Sequence, residues 1–73
     1  TMDNLVAVES VVKCLRSFKV FSKGKQYKIK GFGSTKINRP FWIFMSLHDN
    51  NIEFKVFKDT ANRLVEDGVL KNL

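Results

Sequence analysis

The sequence predicts a mainly β fold, a small barrel of four to five short antiparallel strands with a short C-terminal helix. Three observations carry that expectation. Residues 26–30 and 52–58 alternate apolar and polar side chains, as strands with one covered face do. Residues 41–47 begin apolar at both parities, as a central strand covered on both sides would. Turn-forming residues separate these segments: Gly24, then Gly31, Gly33 and Pro40, then Asp49-Asn50-Asn51. With 73 residues, 44% of them hydrophobic, the chain is expected to be one small folded domain.

That domain is expected to divide into an N-terminal extension (2–10), a β core (11–58) and a C-terminal helix and tail (60–73). Residues 5–18 are open between two forms. Leu5, Val8, Val12, Leu15 and Phe18 fall at helical spacing, yet Val6, Val8, Val11 and Val12 are β-branched and lose side-chain freedom in a helix. A helix here gives an α+β order, α-β-β-β-α, with two helices on a sheet. A strand from about Val11 to Arg16 gives the meander. Ser22-Lys23-Gly24-Lys25 is expected to turn, with Gly24 free to take a positive φ. Residues 26–30 follow, with Tyr27 and Ile29 on one face and Lys28 and Lys30 on the other. Residues 31–40 are expected to be a loop. The strand 41–47, the turn at Asp49-Asn50-Asn51 and the strand 52–58 complete the sheet, because Asn tolerates the left-handed region. Asp59 or Thr60 is expected to cap a helix over 61–67, which Gly68 ends or interrupts.

Two stretches carry a resemblance. Val12-Lys13-Cys14-Leu15-Arg16-Ser17-Phe18 is followed by Phe21-Ser22-Lys23-Gly24-Lys25-Gln26-Tyr27-Lys28-Ile29. Together they resemble small phage-encoded SH3-like proteins, which run from a strand ending in Cys-Ile-Lys-Ser-like residues through a Lys-Gly-Lys-x-Tyr-x-Ile turn and strand. An aromatic strand and a hairpin come next, here residues 41–47 and 52–58. The resemblance covers roughly residues 11–58, and the chain departs from it in its ten-residue loop and its N-terminal extension. It implies an SH3-like barrel and a phage origin, and it implies no reaction. The alternative order, α-β-β-β-α, is that of double-stranded-RNA-binding domains. Their Lys-Lys-x-x-x-Lys cluster at the start of the last helix has no counterpart in Thr60-Ala61-Asn62-Arg63-Leu64.

The net charge is +6, and it is unevenly placed. Between Ser10 and His48 lie nine basic residues and no acidic one, while the rest of the chain holds four basic and seven acidic residues. A basic body with acidic flanks suits a polyanion or an acidic protein partner. Lys23, Lys25, Lys28 and Lys30, joined by Lys36 and Arg39, form the expected nucleic-acid-binding face. Phe32 and Trp42 are the candidates for base stacking or docking. If Phe41, Ile43 and Met45 face the core with Ile52, Phe54 and Val56, then Trp42, Phe44 and Phe57 turn the other way, either as further stacking candidates or as a second face covered by a helix segment carrying Leu64, Val65 and Leu70.

Catalysis is not expected. His48 stands beside Asp49 with Ser46 near, but no nucleophile is placed by spacing. Cys14 has no second cysteine for a disulfide or a zinc site. Gly31-Phe32-Gly33 lacks the Lys-Ser/Thr and helix of a phosphate cradle. No cofactor and no metal are implied. No apolar run approaches the ~20 residues that span a membrane, and Asp3 stands where a signal peptide is basic. The expected setting is cytoplasmic, the host cytoplasm for a viral protein. The expected function is a non-enzymatic nucleic-acid-binding module, with RNA or single strands favoured. The alternative is a module that binds an acidic surface of a host enzyme, such as a nuclease or polymerase, and inhibits it. A short exposed β edge would also allow a homo-oligomer.

Overall fold

The computed structural model describes residues 8–73. Most of the N-terminal extension, with Leu5, Val6 and the Asp3 of the signal-peptide reading, lies outside those residues. The elements run β1 (Val11–Cys14), β2 (Gln26–Ser34), β3 (Pro40–Ser46), β4 (Glu53–Phe57), α1 (Lys58–Glu66) and β5 (Leu70–Asn72). All strand pairs are antiparallel, and the sheet order is β4-β3-β2-β1-β5. A four-strand meander followed by a helix, with the last strand returning to the first, is the strand order of an SH3-like barrel. The α-β-β-β-α alternative is therefore not the fold. Residues 11–14 are extended, with Val12 and Cys14 fully buried and Val11 and Lys13 turned outward.

Two turns form as their residues dictate. Gly24 takes φ +86°, and the Lys25 N–H donates to the Ser22 carbonyl at 3.0 Å. Asn50 and Asn51 both sit at φ 56°, the left-handed pair that a tight hairpin requires. Ser46, buried beside them, accepts the N–H groups of His48 and Asp49 at 3.2 and 3.1 Å.

The ten-residue loop is a correction. β2 continues through Gly31, Phe32 and Gly33 to Ser34, and β3 already begins at Pro40, so only residues 35–39 connect them. Thr35 closes that connection: its hydroxyl accepts the Arg39 N–H at 3.1 Å, and its own N–H donates to the Arg39 carbonyl at 3.0 Å. Glycines weaken a strand but do not forbid one. Here they make room, as described below.

The helix is a second correction. It starts at Lys58, with Phe57 at the N-cap position and no side-chain cap; Asp59 lies inside its first turn. Its end follows the sequence. Gly68 takes φ +78°, its N–H donates to the Val65 carbonyl at 3.1 Å, and the Val69 N–H donates to Leu64 at 2.9 Å. This pair of bonds is the Schellman ending, and it brings Leu64 and Val69 together in the core. The chain then leaves as β5, so the C-terminal segment is part of the sheet and not a tail.

The core lies between one side of the sheet and α1. Phe21, carried in by the 15–22 loop, meets Tyr27, Phe44 and Phe54 edge-on at centroid distances of 5.0, 5.4 and 5.4 Å. Phe44 and Phe54 stack at 5.9 Å. Each such ring fully withdrawn from water contributes roughly 1.5–3 kcal/mol. Ala61 and Leu64 of α1 seal this cluster against β3, β4 and β5.

The parity of β3 is the third correction. Phe44 pairs with Phe54 and Trp42 with Val56, so the even-numbered residues of both strands face the core. Phe41, Ile43 and Met45 face outward, opposite Phe57, Lys55 and Glu53. The expectation that Trp42 and Phe44 turn away from Phe54 and Val56 fails because it joined the two strands out of register by one residue.

Candidate functional site

The outer face of the sheet can be read from its register. One cross-strand row holds Gly33, Phe41 and Phe57; the next holds Gly31, Ile43 and Lys55; the next Val11, Lys28, Met45 and Glu53; the last Lys71, Lys13 and Gln26. At the corner of Phe41 and Phe57 the surface is hollowed into a cleft of about 330 Å³, lined by Ser34, Thr35, Lys36, Phe41, Lys55 and Phe57.

Gly33 shapes that corner. A Cβ at this position would stand 2.8 Å from Cζ of Phe41, so the ring lies flat where only glycine leaves room. Cations sit against both rings. The Arg39 guanidinium carbon is 3.5 Å from the Phe57 centroid, and Lys55 Nζ is 5.0 Å from that of Phe41. Lys36 reaches the same cleft from the 35–39 connection.

The six cations expected to form one basic face are dispersed. Lys25 bonds both carboxylate oxygens of Asp49, at 2.8 and 3.0 Å. Lys28 pairs with Glu9 at 2.7 Å, Lys30 with Glu53 at 3.1 Å and Arg39 with Asp59 at 3.3 Å. Every one of these pairs joins a cation of the acid-free stretch to an acid from outside it. The fold thus spends the flanks on the body. Lys23 and Lys36 make no ion pair among the described residues, and both are exposed. The hydrogen bond between Lys25 and Asp49 raises the ammonium pKa and lowers that of the carboxyl. At Asp59, burial pushes the carboxyl up, but bonds from Arg39 and the Thr60 N–H outweigh it and leave the pKa below its ordinary value.

The two aromatic candidates part company. Trp42 is 6% exposed and belongs to the core. Phe32 is 64% exposed, although a bulge at Lys30 shifts the register between Ile29 and Gly31 and turns Phe32 to the side of Trp42. The rings meet edge-on at 6.3 Å, and Lys58 Nζ lies 4.3 Å from the Trp42 ring centroid and 5.4 Å from that of Phe32. Of the residues named from the sequence, then, Lys36 lines the cleft and Arg39 stacks on Phe57 at its wall. Lys23 and Lys25 lie in the Gly24 turn, Lys28 and Lys30 are paired along β2, and Phe32 and Trp42 lie on the core side.

Phe41 and Lys55 were not singled out by the sequence, and Phe57 was named only together with Trp42 and Phe44, on the face opposite Phe41. The odd-numbered polar residues Glu53 and Lys55 were the available signal, since they mark the outer parity of β4.

A second, more apolar cleft of about 390 Å³ lies beside β4, between Phe18, Val20 and Phe21 on one side and Val56, Phe57 and Leu64 on the other. The thiol of Cys14 is buried and donates to the Arg16 carbonyl at 3.2 Å. Among the described residues no group of three or more His, Cys, Asp or Glu is placed to hold a metal, and no helix is long and apolar enough to cross a membrane.

No family model matches this chain, and no curated protein or solved structure is similar enough to count as a match. Its function must be read from its own residues.

Proposed function

We propose that this chain is a non-enzymatic nucleic-acid-binding module that takes single-stranded RNA or DNA on the outer face of its sheet. The observation that carries the reading is the Phe41–Phe57 cross-strand pair, open on a cleft and surrounded by Lys36, Arg39 and Lys55. Bases stack on aromatic faces at a gain of about 1–3 kcal/mol each, and adjacent cations take the phosphates. Neither element needs a particular base, so the module selects single strands over duplexes more than it selects sequences. Its SH3-like strand order agrees with the resemblance to small phage proteins. A role as a phage accessory protein in the host cytoplasm belongs to the same proposal.

Fluorescence anisotropy with labelled single-stranded RNA, single-stranded DNA and duplex DNA, each at low and physiological salt, tests it. Single strands should bind more tightly than duplex, with affinity falling steeply as salt rises. Phe41→Ala should weaken the single strands most. Equal binding of all three with no effect of Phe41→Ala would remove the stacking platform from the reading.

One observation favours the second reading, a module that docks on a host enzyme. The cleft beside β4 is apolar, and Phe18 and Val20 at its rim are 40% and 55% exposed. If no oligonucleotide binds at low salt and Val20→Asp abolishes capture of a host protein, that reading replaces the first.

A further inference from the structure

We infer that Lys13 and Lys71 are a second phosphate contact on this face, and that a single strand of about six nucleotides runs diagonally from them to the Phe41–Phe57 cleft; this rests on the nucleic-acid reading above. Lys13 and Lys71 are direct cross-strand partners on β1 and β5. Like charges in that position repel and destabilise a sheet. Neither makes an ion pair among the described residues, although four other cations of this chain do. Core packing does not require them, because Val12, Cys14 and Leu70 supply the buried side chains of these strands. Two lysines held side by side on one face suit a ligand that brings negative charge to both.

The register sets the length. Phe41 lies opposite Gly33, and Lys13 lies opposite Gln26, on the same strand β2. With the bulge at Lys30 left out, six strand steps of about 3.3 Å and two strand spacings of about 4.8 Å separate the two corners, roughly 22 Å on the diagonal. A stacked strand advances about 3.4 Å per nucleotide, so about six nucleotides cover that distance. The figure falls within the roughly 4–16 nucleotides that small β-barrel binders occupy. Between the corners the face offers Ile43, Met45 and Val11, half-buried and apolar. The carboxylates beside this path, Glu9 and Glu53, are held by Lys28 and Lys30.

The test is a length series. Labelled oligouridylates and oligothymidylates of three, six and nine nucleotides are titrated at low salt against the protein, Lys13→Gln/Lys71→Gln and Lys71→Gln. The unchanged protein should gain about tenfold or more in affinity from three to six nucleotides and little from six to nine. The double variant should bind the trimer normally and lose that gain, with a smaller salt slope. Lys71→Gln alone, at an exposed position of an edge strand, should lose part of it and keeps the test open should the double variant fail to fold. A full gain retained by either variant overturns the inference and leaves the single-strand reading standing. Failure of the unchanged protein to bind any length overturns the reading itself.

Discussion

The Arg39 guanidinium carbon lies 3.5 Å from the centroid of the Phe57 ring, while the same group hydrogen-bonds Asp59 at 3.3 Å. Asp59 sits in the first turn of α1, where the helix dipole favours a negative charge. Arg39 is thus shared between an aromatic face that suits a base and a carboxylate that competes with a phosphate. Asp59→Asn should release it. We expect several-fold tighter single-strand binding at low salt, an advantage that shrinks as salt rises, together with a small loss of stability. Weaker binding by Asp59→Asn in the same anisotropy assay would mean that Asp59 positions Arg39 for the ligand.

The parity of β3 makes opposite demands on neighbouring rings. Phe44→Ala should cost about 3–5 kcal/mol of folding stability, since it empties the centre of the aromatic cluster. Phe41→Ala should cost about 1 kcal/mol and lower single-strand affinity instead. Urea unfolding of both variants checks the first effect and anisotropy the second. A larger stability loss at Phe41 than at Phe44 would reverse the faces described above.

Gly33→Ala probes the close approach beneath Phe41. The added Cβ would stand 2.8 Å from Cζ of the ring, so the ring must tilt away. The expected outcome is single-strand binding reduced about as far as in Phe41→Ala, with a stability change near 1 kcal/mol. Unchanged affinity would show that the ring lies elsewhere when the ligand is bound.

The Lys25–Asp49 pair predicts a pH dependence. Asp49 has a folded pKa below its unfolded one, so its contribution is present above the unfolded value and disappears as pH falls through the folded one. Lys25 has a raised folded pKa, so its contribution is present below its ordinary value and is lost as pH rises through the folded one. The protein should therefore be more stable than Asp49→Asn on a plateau from about pH 5 to 9, and this margin should shrink steadily as pH falls below the ordinary carboxyl value of about 4. Urea midpoints of the two proteins across that range check it. A margin that does not shrink as pH falls from about 5 to about 2 would assign the effect to the Ser46–Asp49 turn and not to the charge pair.

Much of the fold was legible in residue order. The alternation of residues 26–30, the Gly24 turn, the Asn50-Asn51 hairpin and the helix stop at Gly68 each rest on local backbone chemistry, and each appears where its residues stand. Features that depend on partners across the sheet were not legible. Two apolar parities in β3 gave no local reason to prefer Trp42 and Phe44 as the inward pair. The hairpin register decides it, by placing Met45 opposite Glu53. The bulge at Lys30 is likewise invisible to a two-residue period, and it moved Phe32 across the sheet. The candidate site was legible only in part. Lys36 and Arg39 could be named from charge. Distance in sequence hid the carboxylates that neutralise Lys25, Lys28, Lys30 and Arg39.

The pairing of β1 with β5 joins Val12 to Asn72, positions at opposite ends of the described chain. No local turn can prepare that contact, and the entropy of closing so long a loop must be met before its hydrogen bonds form. Such a topology has high contact order and folds slowly for its size. The cation pair Lys13 and Lys71 comes into being only at that closing step. A partly folded chain therefore lacks one corner of the proposed binding face, and an oligonucleotide present during refolding should leave the early steps alone while slowing the unfolding of the completed sheet.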